Sequence, residues 1–175
     1  LAALLPVTRH RARTGLVQAT RRREWAGPRI DHCLVRRNRI LSYSFLTISG
    51  SLRAASVNAD VLRALDNLCS DNVKLTQYPG LASLPHFNPD LDQEGMPAPQ
   101  PVVALREAVA RADGLLISSP EYAHGIPGVL KNALDWLVSF PPFAGKRVLL
   151  LNVSPASLHV QAQLREVLGT MSAIV

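Results

Sequence analysis

Residues 49–58, "SGSLRAASVN", collect groups that bind a phosphate: hydroxyls at Ser49, Ser51 and Ser56, the cation Arg53 and the amide Asn58. A helical pattern follows at once, and a helix N-terminus adds free N–H groups and partial positive charge. Hydrogen bonds to a charged group are the strong ones. The segment has one glycine and no GK[ST], so it is neither a P-loop nor a GxGxxG motif. It predicts a phosphate-binding loop, although a plain helix N-cap also fits.

A second segment, "SPEYAHGIPGVLKNALDW" at 119–136, places polar groups between an apolar strand and a helix that opens with Pro127. Glu121, Tyr122 and His124 stand where a strand ends, which is where parallel sheets bind ligands. Each side chain also has a plainer interpretation: Glu121 paired with a neighbour, Tyr122 packed, and His124 at the edge of a turn. The sequence shows neither a catalytic triad nor a metal-ligand cluster.

The rest of the chain supplies the elements that must position these two segments. Apolar β-prone runs predict strands at 41–49, 73–78, 114–119 and 147–154. Helical spacing predicts helices at 56–68, 101–112, 127–138 and 158–170, with Val57, Val61, Leu62, Leu65 and Leu68 on the buried face of the first. In the third, the predicted buried face is Val129, Leu130, Ala133, Leu134, Leu137 and Val138. A proline-rich connection, with prolines from 79 to 101, links the second strand to the second helix.

Strands that alternate with helices predict an α/β fold with an open parallel sheet and helices on both faces. If the strand order is 2-1-3-4-5, the first and third strands are adjacent, and the two polar segments are neighbours in space. "SAIV" at 172–175 has the pattern of a fifth strand that is not completed. The fold is therefore expected to be truncated at its C-terminal strand and helix, with a less stable core than a longer chain would have.

Charge divides the chain into two parts. Residues 1–40 contain ten arginines against Glu24 and Asp31, a net charge of +8, whereas the remaining nine basic and eleven acidic residues give −2. We therefore predict a basic N-terminal extension outside the fold, 1–40, and one domain, 41–175. Three explanations for the extension stay open: a basic binding arm, a targeting peptide, or an in-frame extension upstream of the true start. The domain itself carries no basic patch typical of nucleic-acid binding.

Two further features limit the class of protein. Cys33 and Cys69 are far apart with no CxxC pair, so neither a disulfide framework nor a zinc site is indicated. No apolar run reaches the roughly 18 residues of a membrane span. These features favour a cytoplasmic protein that does not bind membranes or nucleic acid.

Three segments resemble the NADPH-dependent FMN reductases, a flavodoxin-like family that includes quinone, azo-dye and chromate reductases. "GSLRAASVN" is similar to the family's FMN-phosphate loop, "LPHFNPDLD" to its middle loop, and "SPEYAHGIPGVLKNALDW" to its flavin-ring loop and following helix. The resemblance covers about 45–170. It implies a flavodoxin-like sheet of order 2-1-3-4-5, with FMN as cofactor and NAD(P)H as co-substrate.

The resemblance also implies roles for particular residues. Ser51, Arg53, Ser56 and Asn58 would hold the FMN phosphate. The isoalloxazine ring would lie against backbone groups of Pro120, Glu121, Tyr122, His124 and Gly125, with Gly125 allowing close approach. Hydride would pass from NAD(P)H to the flavin, and a quinone, azo compound, free flavin or metal oxyanion would then take the electrons. No catalytic side chain and no metal would be needed.

Two departures from the family pattern accompany the resemblance. Ala123 stands where many members have Asn. The segment "SPASLHVQAQLREVL" at 154–168 carries Pro155, Ser157 and His159 where members usually have glycines at the flavin edge, which puts the ring-edge contacts in doubt. The resemblance implies a homodimer or homotetramer. Two alternatives stay open: a flavodoxin-type electron carrier, which the −2 charge and Arg53 disfavour, and a non-catalytic FMN-binding module.

Overall fold

The computed structural model describes residues 42–175, which lie within one compact unit, Arg39–Val175. The interpretations of the basic extension at 1–40 fall outside the described residues. None of the described helices combines the length and apolarity that a bilayer-spanning helix needs.

A four-stranded parallel sheet forms the centre of the fold. Its strands are β1 (Tyr43–Ser49), β2 (Val73–Gln77), β3 (Gly114–Ser118) and β4 (Arg147–Leu151), in the order β2-β1-β3-β4. This confirms the predicted order for four strands. Ile174 forms a single parallel bridge with Arg147, the first residue of β4. It lies in the segment predicted as the start of a fifth strand. No fifth strand is present among the described residues.

Four helices connect and cover the strands: α1 (Val57–Asp66), α2 (Gln100–Arg111), α3 (Gly128–Asp135) and α4 (Leu158–Thr170). Helices α2, α3 and α4 share one hydrophobic core with the sheet. Its buried members include Val102, Leu105, Val109, Leu130, Leu134, Val160, Leu164, Leu168, Leu46, Ile48, Leu115 and Ile117. Because side chains alternate along a strand, Thr47 faces the opposite side, where α1 lies with Leu62 buried. Helices therefore cover both faces, as predicted.

Two predicted helix faces were partly wrong. Val57 is 62% exposed, because α1 turns Asn58, Ala59 and Leu62 toward the sheet. Leu68 is 80% exposed and lies beyond Asp66, where the helix ends. The two strands beneath it, β1 and β3, end in polar serines, so a polar Asn58 is accommodated there.

Helix α3 ends at Asp135, three residues earlier than predicted, and Val138 is 65% exposed. Beyond Asp135 the helical bonds between residues four apart give way to bonds between residues three apart, from Leu137 N to Leu134 O at 2.9 Å and from Val138 N to Asp135 O at 3.2 Å. The Trp136 carbonyl accepts hydrogen bonds from the Arg106 guanidinium at 3.1 and 2.8 Å.

The proline-rich connection between β2 and α2 contains only two short 3-10 turns, Leu81–Ser83 and Pro89–Leu91. Helix α3 holds its first part. Asn132 accepts from Phe87 N at 2.8 Å and donates to Pro85 O at 2.9 Å, and Trp136 Nε1 donates to the same Pro85 O at 2.8 Å. Side chains of α3 and of Trp136, the residue that follows it, therefore satisfy backbone groups of a segment that has no regular hydrogen bonding of its own.

Arg106 holds the second part of this connection. Its Nη2 lies 2.8 and 2.9 Å from the two carboxylate oxygens of Asp92, and both side chains are largely buried. Ser139 donates a further hydrogen bond to Asp92. Because this ion pair is shielded and hydrogen-bonded on several sides, removing one partner costs far more than breaking an exposed pair.

Candidate functional site

The carboxyl ends of β1 and β3 meet, and this places the two polar segments side by side. Ser49 pairs with Ser118 in the parallel register, and Gly50 N donates to Ser118 O at 2.8 Å. The expectation that the loops after the first and third strands are neighbours is therefore confirmed.

Gly50 is the residue that lets these loops come so close. A Cβ atom built at Gly50 would lie 2.7 Å from Ser119 Oγ and 3.1 Å from Leu130 Cδ2. Ser119 and Leu130 are themselves buried, so neither has free space to move into. Any side chain at position 50 would push the two loops apart.

The loop before α1 presents both exposed and buried polar groups. Ser51 is half-buried and Arg53 exposed, and Ser51 Oγ accepts from Arg53 N at 3.2 Å. Ser56 is buried and caps α1 by accepting from Ala59 N at 3.3 Å, so the N-cap interpretation of Ser56 is confirmed. Asn58 is buried too, and its Oδ1 accepts from Ser118 Oγ at 2.8 Å. The cap and the amide fix the loop against β3.

A tight turn follows β3 at residues 122–125. Tyr122 N donates to Gly125 O at 3.2 Å, and Gly125 N donates to Tyr122 O at 3.0 Å. Ala123 and His124, between them, have φ of 50° and 58°. Positive φ at both central residues is the signature of a type I′ turn, for which Asn-Gly is the preferred pair. Tyr122 is 57% exposed, so the interpretation of Tyr122 as a packing aromatic was wrong.

Helix α4 is joined to the segment before this turn by Glu121. The Glu121 carboxylate accepts from Val160 N at 3.0 Å, in the first turn of α4. Ser157, the residue that precedes α4, makes no side-chain capping hydrogen bond. Glu121 therefore caps α4 from a distant part of the chain. The sequence indicated that Glu121 could pair with a neighbour, and that neighbour is the backbone amide of Val160.

Two more residues of α4 contact the turn. Gln163 donates to His124 O at 2.9 Å and accepts from Ile126 N at 3.3 Å. The imidazoles of His124 and His159 stack with centroids 4.2 Å apart and an angle of 7° between their planes. His159, which departs from the family pattern, thus lies against the predicted ring loop.

The structure brings together most of the predicted site residues. The residues predicted to hold the phosphate and those predicted to line the ring occupy adjacent loops along one edge of the sheet, and Pro120 lies two residues after the buried end of β3. A Cβ at Gly125 would meet its nearest neighbours at 3.5 Å, an ordinary contact, so the fold itself does not require glycine there. Lys131 and Asp135 form the expected pair on α3, with the charged atoms 2.5 Å apart.

Sequence reasoning missed several residues that shape the site. The sequence pattern marks Gly50 only as the end of a strand, and Gln163 only as part of a helix. Glu121, His124 and His159 form a cluster in which one potential ligand atom from each lies within 4.8 Å of the others. These relationships link residues that are far apart in the chain, and local spacing carries no signal for them.

Comparison with known proteins identifies the family. The model of the NADPH-dependent FMN reductase family matches residues 43–175. The chain belongs to this family. It is an oxidoreductase that uses FMN as cofactor and NAD(P)H as co-substrate, as the resemblance implied.

Similar proteins share this description. A quinone reductase of Escherichia coli K12 is 39% identical over 136 residues, which cover 74% of this chain and 71% of the relative. An NAD(P)H-dependent FMN reductase of Pseudomonas aeruginosa is 35% identical over 128 residues, covering 70% of this chain and 68% of the relative.

Among solved structures, the flavoenzyme NAD(P)H:(acceptor) oxidoreductase FerB of Paracoccus denitrificans superimposes with a TM-score of 0.67 at 27% identity. The match covers 75% of this chain and 74% of FerB. An azoreductase of Bacillus anthracis has a TM-score of 0.59 at 16% identity over 75% of this chain and 82% of its own, and it shares the fold.

Proposed function

We propose that this member of the family transfers electrons from NAD(P)H, through FMN bound across the loops after β1 and β3, to a small quinone. The observation that carries the proposal is the contact between those two loops at Gly50 and Ser118. Relatives named quinone reductase at 39% identity support quinone over the azo, flavin and metal-oxyanion acceptors, which are the alternatives to assay beside it.

The loop before α1 has the donors that an FMN phosphate needs. Arg53 is exposed and supplies the positive charge. The first N–H groups of α1 have no acceptor within the helix, apart from the one that Ser56 caps. Ser56 and Asn58 use one acceptor atom each inside the protein, so their hydroxyl and amide hydrogens stay available. We propose that Ser51, Arg53, Ser56 and Asn58 hold the phosphate together.

The turn after β3 offers backbone groups that could bind the isoalloxazine ring of FMN. Backbone groups of Pro120, Glu121, Tyr122, His124 and Gly125 would line the isoalloxazine ring, and α3 begins just beyond them at Gly128. When bound, FMN supplies the hydride-accepting chemistry. The protein contributes a rigid turn held by Gln163 and partial positive charge from the α3 N-terminus, which favours negative charge on a ligand placed before it.

The test is an anaerobic titration of the FMN-loaded protein with NADPH, followed by visible absorption near 450 nm. We expect bound flavin to bleach and to recover its colour on addition of a quinone. Flavin that binds but stays oxidised would instead support the electron-carrier alternative. Absence of flavin binding would contradict both.

A pair of variants tests the phosphate loop separately. Arg53→Ala removes hydrogen bonds to a charged group that are worth about 1.5–3 kcal/mol, so FMN should bind about 10- to 100-fold more weakly. Riboflavin, which lacks the phosphate, should lose little affinity. Arg63→Ala, which removes an exposed arginine paired with Asp60 on α1, is the control and should bind FMN like the original protein. Equal weakening of FMN and riboflavin by Arg53→Ala would refute the phosphate assignment.

We also propose that the flavin-binding domain spans 41–175, that the protein is cytoplasmic, and that it assembles as a homodimer or homotetramer. Between α3 and α4 lies an open groove with apolar lining that includes Val138, Phe140, Val167 and Met171. Such a surface is consistent with a subunit contact. Sedimentation of the FMN-loaded protein would test the assembly, and a monomer at micromolar concentration would contradict it.

A further inference from the structure

We propose that the side chains of Glu121, His124 and His159 bind a divalent transition-metal ion such as Zn²⁺ and thereby link the turn after β3 to helix α4. The proposal does not depend on FMN. The flavin proposal uses backbone groups of the turn, whereas the metal would use side chains that extend toward α4 and contact it.

The donor set is the first argument. Two imidazoles and one carboxylate are ligands that Zn²⁺, Ni²⁺ and Cu²⁺ accept, and three protein ligands leave a further position for water. One ligand atom from each residue lies within 4.8 Å of the other two. Both histidines are exposed and Glu121 is half-buried, so an ion can reach the cluster from solution.

The second argument is that the backbone already holds these ligands together. Gln163 bonds the His124 carbonyl, and the paired hydrogen bonds of Tyr122 and Gly125 fix the turn. Glu121 is bound to Val160 N through Oε2, which leaves its second carboxylate oxygen as a ligand. The conformational entropy of bringing the two segments together is therefore already lost on folding, and metal binding does not have to offset it.

Only side-chain rotation separates this arrangement from coordination. Zinc–nitrogen bonds of about 2.1 Å at tetrahedral angles place ligand atoms about 3.4 Å apart. The cluster spans up to 4.8 Å, and the imidazoles are parallel at 4.2 Å. Because an imidazole nitrogen holds its lone pair in the plane of the ring, stacked rings direct their lone pairs within two separate, nearly parallel planes. Binding must therefore open the stack so that both nitrogens point at one ion, and exposed histidines have room for that rotation.

The experiment is calorimetric titration of the full chain with Zn²⁺, in flavin-free and FMN-loaded protein. We expect one site that His159→Ala weakens at least tenfold. Glu121→Gln should also weaken it, while keeping an oxygen that can accept from Val160 N. His86→Ala removes an exposed histidine of the proline-rich connection and is the matched control, with binding unchanged.

Two outcomes would overturn the proposal. One is an original protein that binds no Zn²⁺. The other is binding that His159→Ala leaves intact, because the metal would then be held by other histidines or by Cys33 and Cys69. A second readout is independent of affinity: the ring proton resonances of His124 and His159 should shift together on metal addition, and that of His86 should not. A failure of flavin binding would leave each of these results interpretable.

Discussion

Ala123 occupies a backbone conformation that its side chain disfavours. Its φ of 50° lies in the left-handed region, where an ordinary L-residue loses roughly 1–2 kcal/mol. Asn tolerates this region because its short polar side chain bonds locally, and it is preferred in type I′ turns. Turn geometry alone therefore favours Asn over Ala at this position, with no need for a flavin contact.

Replacing Ala123 with Asn should therefore stabilise the protein by about 0.5–1 kcal/mol through relief of this strain. Urea unfolding of the flavin-free protein would measure the gain. The control is Ala110→Asn on the exposed side of α2, where φ is helical and Asn is the poorer helix former, so stability should fall by several tenths of a kcal/mol. A loss of stability at position 123 would show that the turn does not carry the inferred strain.

Residue types and local spacing pointed to candidate residues in the loops after β1 and β3, which are adjacent in the fold, but not to the contacts that these residues make. The serines, Arg53 and Asn58 were identifiable because hydroxyls, cations and amides before a helix are chemically distinctive. Position 50 requires glycine because a Cβ atom there would lie too close to Ser119 and Leu130, which are distant in the chain. The Glu121 cap on α4 has the same origin. Such roles depend on tertiary contacts, and one sequence does not encode them locally.

At the scale of elements, α3 has a second task besides covering the sheet. Asn132 and Trp136 satisfy the backbone of Pro85 and Phe87 in the middle loop. The helix that follows the predicted ring loop therefore also positions the middle loop. Any movement of α3 must carry both loops with it.

Asn132→Ala should destabilise the protein by about 1–3 kcal/mol, because it leaves the partly buried Phe87 N–H without its acceptor. Hydrogen exchange would locate the effect: the Phe87 amide should exchange faster in the variant. Lys131→Ala, one residue earlier, removes only the partly exposed pair with Asp135 and should cost a few tenths of a kcal/mol. Similar exchange at Phe87 in both variants would contradict the role given to Asn132.

The elements themselves were largely predictable. Apolar spacing gave α2 and α4 their ranges and α2 its buried face, because Val102, Leu105 and Val109 recur at helical intervals. The end of α3 was not predictable, since the helical pattern of apolar residues continues to Val138 while Leu137 N and Val138 N bond to carbonyls three residues back rather than four. Periodicity indicates which residues could form a helix, but not the residue at which its hydrogen bonding changes.

At the scale of the whole molecule, stability should fall in alkaline solution because of Tyr78. Burial raises the pKa of Tyr78 above its ordinary value of 10.0. As the pH rises past that value, the unfolded chain loses the phenolic proton while the folded protein keeps it. Ionisation therefore favours unfolding. The contribution of Tyr78 to the free energy of unfolding is complete below pH 10 and is lost between the pKa of the unfolded chain and that of the folded protein. The loss is at most about 1.4 kcal/mol per pH unit.

Urea unfolding at pH 8.5, 9.5 and 10.5 would reveal this loss, and Tyr78→Phe should flatten it. Tyr43→Phe, at a site 43% exposed on β1, is the control for the loss of a tyrosine hydroxyl elsewhere in the protein. Parallel curves for the original protein and Tyr78→Phe would mean that other groups, such as lysines, account for the alkaline loss.

Parallel-strand order is the property of the whole molecule on which the site depends, and it was predictable only in part. Alternating strands and helices indicated a parallel sheet, but the adjacency of β1 and β3 followed from a chosen strand order and from the family resemblance. Many orders satisfy the same local patterns. The register that joins Ser49 to Ser118 is settled by packing across the whole sheet.

The tethered connection between β2 and α2 has a consequence for how chain length can vary among related proteins. Bonds to Pro85, Phe87 and Asp92 fix the segment at defined points. Beyond Asp92 the chain is exposed around Gly95, where φ is 81° and a Cβ would meet nothing within 4 Å. Lengthening a surface loop costs little closure entropy. Insertions should therefore accumulate between Asp92 and Pro97, whereas one added residue between Pro85 and Phe87 would shift both bonds to Asn132 out of register.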